Sequence, residues 1–110
     1  MTESIRSARP ADEPAILTLL EAAHLPTDEV GEWLPHYVVA EEAGRVVGVA
    51  GLEVHGEDGV LRSVVVEASR RGGGLGGRLA ATIIAAARQS GLRRLYLLTN
   101  DGAPRWKVDV

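Results

Sequence analysis

Apolar residues in the second half of the chain recur at the spacing of a helix face. They stand four positions apart, at Leu75, Leu79, Ile83 and Ala87. This spacing places side chains on one side of an α-helix. Ser90 and Gly91 follow, and a glycine after the last periodic residue is typical of a helix end. The pattern predicts an amphipathic helix whose apolar face packs on a core.

Three segments before this helix are rich in β-branched residues, which favour strands. They read HYVVAEE, RVVGVAGLEV and VLRSVVVE. The intervening stretches EEAG and HGEDG carry glycines that suit hairpin turns. The sequence therefore predicts three consecutive antiparallel strands.

The remaining segments complete the order of elements. Ser4 to Ala8 predicts a short strand, and PADEPAILTLLEAA predicts a helix with Asp12 as its cap and Pro14 in its first turn. One further turn is expected before Pro35, and RRLYLLT reads as a buried strand. The order is strand, helices, three strands, glycine-rich helix, strand, which is an α+β layout.

Composition narrows the class of protein. The 110 residues are 45% hydrophobic and 25% charged, which predicts a single domain over 1–110. The net charge of −3 lacks the basic field of nucleic-acid-binding proteins. The chain has no cysteine, and its N-terminus has no apolar signal region. We expect a cytoplasmic protein that binds neither nucleic acid nor membrane.

The stretch RRGGGLGG joins the last β-rich segment to the amphipathic helix. Each glycine costs roughly 0.5 to 1 kcal/mol of backbone entropy in regular structure, so a cluster of five needs a compensating purpose. Free amides and a positive dipole at a helix start attract anions. Arg70, Arg71 and Arg78 can add charge there. The stretch predicts a phosphate site, although it lacks the Gly-Lys-Ser/Thr ending of a P-loop and the parallel context of NAD-binding folds.

Arg71, Gly74 and Gly76 match the R-x-x-G-x-G pattern of the GNAT acetyltransferases, which this chain resembles. The stretches LPHYVVAE, GRVVGVAGLEVHG, VLRSVVVE and LRRLYLLT further resemble the arsenic-resistance-operon N-acetyltransferases, so the resemblance extends over nearly all of residues 4–99. It implies a GNAT-like fold, with a mixed, mainly antiparallel sheet flanked by helices.

The resemblance also implies acetyl-CoA as cofactor. Its pyrophosphate would lie on the amides of Arg71, Gly72, Gly73, Gly74, Leu75, Gly76 and Gly77. Its pantetheine arm would follow the strand that holds Val64, Val65 and Val66. A bulge is expected to separate that strand from the one at Arg94 to Thr99, which frees an amide near Val65 for the thioester carbonyl.

The acceptor in such enzymes is an amine that must lose a proton, and a carboxylate is the expected base. The resemblance places Glu53 in this role, although a solvated strand carboxylate is the alternative. Arg62 and Ser63 are expected to orient an anionic acceptor, unless Arg62 pairs with Glu53 or Glu57 across the hairpin. Glu67 is either a second base or a surface residue.

Other candidates fit structural roles. Tyr96 lies on a predicted strand and is expected in the core. His24, His36 and His55 fall in different segments without the spacing of metal ligands, so no metal is expected.

The family continues beyond YLLTN with a helix and two strands, and this chain has only DGAPRWKVDV. The expectation is a domain that lacks the usual C-terminal helix and hairpin, with the last strand left unpaired. Trp106, Val108 and Val110 alternate with polar residues, so the tail predicts a strand that either folds back or crosses to a second copy; a homodimer is favoured.

Two function classes follow from these observations. One is an N-acetyltransferase of a small amine, associated with arsenic or toxic-metabolite resistance. The other is a shortened, non-catalytic module that binds CoA or dimerises.

Overall fold

The computed structural model describes the backbone of residues 3–98 and 104–110, and the side chains of these residues except 98 and 104–108. The strands are β1 Ser4–Ser7, β2 Tyr37–Glu42, β3 Arg45–His55, β4 Asp58–Val66, β5 Arg94–Leu98 and β6 Pro104–Asp109. The α-helices are α1 Glu13–Ala22, α2 Val30–Trp33 and α3 Leu75–Gln89. Short 3-10 turns occupy Pro10–Asp12, Leu34–His36 and Ala68–Arg70.

The strands form one sheet in the order β1-β2-β3-β4-β5-β6. All neighbouring pairs are antiparallel except β4 and β5, which run parallel. A parallel pair needs a crossover connection, and α3 provides it. The predicted mixed, mainly antiparallel sheet flanked by helices is therefore confirmed.

Hairpin turns join the three central strands as the glycine patterns predict. Ala43 and Gly44 both have positive φ, at 52° and 79°, between β2 and β3. Two successive positive φ angles are typical of the turn that matches the twist of a two-residue hairpin. Gly56, with φ of 63°, lies in the turn between β3 and β4.

The helices cover both faces of the sheet. The four periodic residues of α3 are buried, as predicted, and pack against one face. On the opposite face Ile16 and Leu20 of α1 and Val30 of α2 pack on Val39 and Val49 of the sheet. The sheet thus separates two apolar clusters. Within residues 3–98 and 104–110, no helix has the length and apolar content to cross a membrane.

Asp12 does not cap α1 through its side chain, which corrects the sequence prediction. Its carboxylate instead accepts hydrogen bonds from Arg6 Nη1 at 2.7 Å and from the Arg9 amide at 2.7 Å. A 3-10 turn leads into α1, so Asp12 already has helical backbone angles and its side chain turns back toward β1. The hydrogen bond from Arg6 lowers the pKa of Asp12.

The C-terminal segment folds back as β6 beside β5. The antiparallel register runs from Arg94 opposite Asp109 to Leu98 opposite Pro104. Val110 packs against the cluster on the α3 face. Of the two courses predicted for the tail, the structure therefore has the one that folds back, and β5 is not the unpaired strand on which the predicted homodimer rested. The side chains of Trp106 and Val108 lie outside the described residues.

We predict that Leu79→Ala lowers the free energy of unfolding by about 2 to 5 kcal/mol, because it leaves a cavity in the core. Leu79 is fully buried, and its Cδ1 lies 3.0 Å from the position that a Cβ would take at Gly48. Chemical denaturation measures the change. Gln89→Ala, at the exposed end of the same helix, is the control and should change stability by less than about 0.5 kcal/mol.

Candidate functional site

The glycine-rich stretch forms the approach to α3. Gly72 and Gly74 have φ of 90° and 82°, in the left-handed region that favours glycine. Gly74 immediately precedes the helix, and its carbonyl accepts the first helical bond from the Arg78 amide at 3.1 Å. The amides of the first helical residues therefore have no partner within the helix.

At most positions of this loop, no described neighbour is close enough to exclude a side chain larger than that of glycine. Among the described residues, a Cβ at Gly72, Gly74 or Gly77 would meet nothing within 4 Å, and at Gly73 its nearest contact would be the Arg70 carbonyl at 3.9 Å. Gly73 and Gly77 also lack positive φ. Neither internal packing nor backbone strain therefore accounts for these two glycines, and the loop leaves its backbone accessible from outside.

The arginines around the loop differ in their partners. Arg70 is bonded to the buried carboxylate of Glu42, and Arg78 donates to both the carboxylate and the carbonyl of Glu3, each at 3.1 Å. These two guanidinium groups are neutralised by carboxylates. Arg71 donates from Nε to the Val66 carbonyl at 3.1 Å, which ties the loop to the end of β4.

A β-bulge interrupts β4 at Ser63. Gly51 faces Arg62 and Val49 faces Val65, so β4 advances three residues where β3 advances two. Ser63 takes up the extra residue with φ of 57°. Because side chains alternate along a strand, the extra residue changes the face to which the next ones point.

The bulge divides the side chains of β4 between the two clusters. Leu61, before it, packs on the α3 side, whereas Val65 packs among the residues of the α1 side. Val64 lies between these two residues in the sequence and is 39% exposed. The end of the strand thus presents one exposed side chain, that of Val64, ahead of the turn that leads to the glycine loop.

The described pairing of β4 with β5 ends before the bulge. Their parallel register begins at Asp58 opposite Arg94 and ends at Leu61 opposite Leu97. From Arg62 to Val66, β4 pairs with β3, and residues 99–103, which follow β5, lie outside the described residues. The predicted splay of the two strands and the free amide near Val65 therefore stay predictions.

On the α1 face, Glu53 is the centre of a group of charged side chains. Its Oε2 lies 2.6 Å from Arg62 Nη1, and its Oε1 lies 2.9 Å from His55 Nε2. Arg62 also reaches Glu29, at 3.4 Å. The sequence left Glu53 and Glu57 open as partners of Arg62. The structure pairs Arg62 with Glu53, whereas Glu57 pairs with Arg93.

Aromatic side chains border this group. The Tyr37 ring packs directly on Gly51. A Cβ at that position would lie 2.5 Å from the ring, so the strand needs glycine there. Burial raises the pKa of the Tyr37 phenol, and the charges of Arg62 and Glu53 also act on it. Trp33 meets the His55 ring edge to face, with 5.4 Å between centroids.

Sequence reasoning missed four members of this group: Glu29, Trp33, Tyr37 and His55. One signal was available, because a glycine within a strand indicates that another group approaches closely. Gly51 in β3 marks the position of Tyr37 in this way.

Other candidates lie apart from these two regions. Glu67 is bonded to Arg45 and accepts from Ser69 Oγ at 2.6 Å, and the bond from Arg45 lowers its pKa, as is typical of a surface ion pair. The Leu75 side chain is buried in the core, so only its backbone can face a ligand. Among the described residues no group of three or more side chains has the arrangement of a metal site.

Comparisons with known proteins point to one family. The family profile described as Acetyltransferase (GNAT) family matches residues 3–106. Rv2747 of Mycobacterium tuberculosis, crystallised with CoA and a second ligand, is 29% identical with a TM-score of 0.79, over 87% of this chain and 64% of that one. No curated protein matches this chain.

Two further solved structures are similar. N-acetylglutamate synthase of Neisseria gonorrhoeae, with coenzyme A and N-acetyl-glutamate, is 30% identical with a TM-score of 0.79, over 90% of this chain and 26% of that one. A GNAT family acetyltransferase of Brucella melitensis, with acetyl-CoA, is 28% identical with a TM-score of 0.77, over 89% and 76%. This chain spans less than two thirds of the length of Rv2747 and of the synthase.

We predict that Ser63→Val lowers the free energy of unfolding by about 1 to 3 kcal/mol, because a β-branched residue is strained at positive φ. Ser63→Gly is the matched control, since glycine adopts this φ without strain, and its stability should stay near that of the wild type. Chemical denaturation compares the three proteins. Equal stability of the valine and glycine variants would contradict the bulge at this position.

Proposed function

Because the chain belongs to the GNAT acetyltransferase family, we propose that it is an N-acetyltransferase that moves an acetyl group from acetyl-CoA to the amine of a small molecule. The observation that carries the proposal is the continuity of β4, the glycine loop and α3. The end of β4 at Val64 to Val66 leads, through the turn Ala68–Arg70, into a loop of accessible amides at a helix start. An extended ligand with a phosphate group at one end fits such a surface.

The residues of this surface fit CoA. Gly73 and Gly77 leave space that a Cβ would fill, and the exposed Val64 has its Cγ1 3.8 Å from the position that a Cβ would take at Gly76. We propose that the amides from Arg71 to Gly77 bind the pyrophosphate and that Val64 to Val66 bind the pantetheine arm. Acetyl-CoA would supply the activated acetyl group as a thioester, and an amide near Val65 would donate to its carbonyl oxygen.

Glu53 is the proposed base on the acceptor side. Its side chain is only 14% exposed, and it lies on the face of the sheet that carries α1 and α2. A carboxylate has about four lone-pair sites, so the bonds to Arg62 and His55 leave capacity for the proton of an ammonium group. Glu53 would take this proton directly or through a water molecule, and the free amine would then attack the acetyl carbon. The C–S bond of the thioester would break, and CoA would leave as a thiolate that takes up a proton.

The pairing of Arg62 changes its proposed role. Glu53 and Glu29 both bind its guanidinium, which leaves less of its charge for an anionic acceptor. We therefore propose that Arg62 orients Glu53, and that Ser63 contributes through the backbone of the bulge. Two carboxylates against one guanidinium favour a cationic amine at this end of the site.

The finer predictions from the sequence remain predictions. They comprise the role in arsenic resistance, the cytoplasmic location, the single domain over 1–110 and the homodimer. A non-catalytic module that binds CoA is the alternative function. Release of free thiol from acetyl-CoA in the presence of amines distinguishes it from an enzyme.

We predict that Gly73→Val weakens CoA binding at least tenfold, because the added side chain projects toward the accessible face of the loop and blocks backbone approach. The change meets no protein atom closer than 3.9 Å at Cβ, so the fold should persist. Calorimetry measures the affinity. Gln89→Val, at the other end of α3, is the control, and unchanged affinity of Gly73→Val would count against the phosphate site.

We predict that Glu53→Gln lowers kcat for acetyl transfer by about 100-fold or more, the usual contribution of a general base. CoA affinity should change by less than about twofold, since Glu53 lies on the acceptor side. Glu57→Gln removes a carboxylate from the same hairpin that pairs only with exposed Arg93, and it serves as the control. Equal turnover of the Glu53 variant would exclude it as the base.

A further inference from the structure

His55 ends β3 two residues beyond Glu53, on the same face of the strand. Its Nε2 lies 2.9 Å from Glu53 Oε1. An ionised carboxylate only accepts hydrogen bonds, so the proton of this bond belongs to the ring nitrogen. The contact therefore selects the imidazole tautomer that carries its proton on Nε2.

The two partners differ in their access to solvent. The Glu53 side chain is 14% exposed, whereas that of His55 is 56% exposed. Trp33 lies edge to face against the imidazole, with an angle of 65° between ring planes. This contact limits rotation of the ring, so an exposed histidine is held in one orientation toward a nearly buried carboxylate.

The charged groups around His55 come from three elements. Glu53 lies on β3 itself, and Arg62 on β4 occupies the second oxygen of that carboxylate. Glu29, before α2, faces Arg62. Asp58 lies opposite His55 in the hairpin, and its carboxylate is bonded to Arg94. With a neutral imidazole, Glu53 thus has one cationic partner among the described side chains, Arg62.

A second histidine lies beyond Trp33. The ring of His36 is 6.1 Å from the indole, centroid to centroid. His36 therefore shares the aromatic neighbour of His55, which makes it a suitable control. The carboxylate of Glu57, in the turn between β3 and β4, is paired with Arg93.

We propose that His55 is a positioning residue for Glu53, which it holds by donating from Nε2 so that the free lone pairs of the carboxylate face the acceptor amine. The inference rests on the proposed function, in which Glu53 takes the proton of the amine. The proton passes from the ammonium nitrogen to Glu53, and the neutral imidazole keeps its own proton throughout. His55 acts through Glu53 and touches neither substrate nor cofactor.

The first experiment compares His55→Ala with His55→Gln by thiol release from acetyl-CoA. His55→Ala should lower kcat about 10- to 100-fold, the usual effect of misplacing a reacting group, with the KM for acetyl-CoA unchanged. His55→Gln retains a side-chain N–H, so it should keep most of the wild-type kcat. His36→Gln should resemble the wild type in both parameters.

Two results would overturn the proposal. One is a His55→Ala variant with wild-type kcat. The other is a His55→Gln variant as slow as His55→Ala, because donation from the side chain would then not suffice.

The second experiment needs no turnover. Nitrogen-15 spectra of the imidazoles should show the His55 ring with its proton on Nε2 in the wild type and a mixture of tautomers in Glu53→Ala, while His36 stays unchanged. Identical His55 spectra in both proteins would overturn the contact. A wild type without thiol release from any amine would overturn the proposed function, and the spectra then decide the contact separately.

Discussion

The extra residue at Ser63 in β4 is the constraint on which the arrangement of the site depends. In an antiparallel pair without this extra residue, every second side chain would point to the same face along the whole strand. With it, Leu61 packs on the α3 side and Val65 on the α1 side. One residue in the left-handed region thus sets the direction in which the chain enters the loop.

The two halves of the site are placed by this one strand. Its far end leads through the glycine loop into α3, whose buried face fixes the helix on the sheet. Its near half carries Arg62, which binds Glu53 on the neighbouring strand and Glu29 in the segment before α2. The proposed cofactor surface and the proposed acceptor group are therefore held at a fixed separation along β4. Acyl transfer requires such fixed placement of two reactants.

Local patterns predicted the elements well. The four-residue spacing in α3 and the glycines of both hairpins depend on neighbours in sequence, so a single segment contains the information. The bulge near Val65 was expected only from the family resemblance. The tail of the chain alternates as a strand does, but its pairing with β5 depends on a distant segment, and the sequence left that partner open.

Side-chain partners were predicted less well, and the reason is long-range geometry. Asp12 reads as a helix cap until Arg6 on β1 is placed beside it. From the sequence, Arg70 and Arg78 were predicted to add charge at a phosphate site. In the structure they pair with Glu42 and Glu3. Each of these pairs joins segments whose distance is set by sheet register. Register is decided by the whole hydrophobic pattern and not by any single motif.

The central claim is that β4, the glycine loop and α3 form one binding surface for CoA. Its most direct test is a titration of nitrogen-15-labelled protein with CoA, followed through the backbone amide signals. The account predicts saturable shifts that are largest at residues 64–66 and 72–77. Amides in these two segments that remain unchanged at millimolar CoA would contradict it.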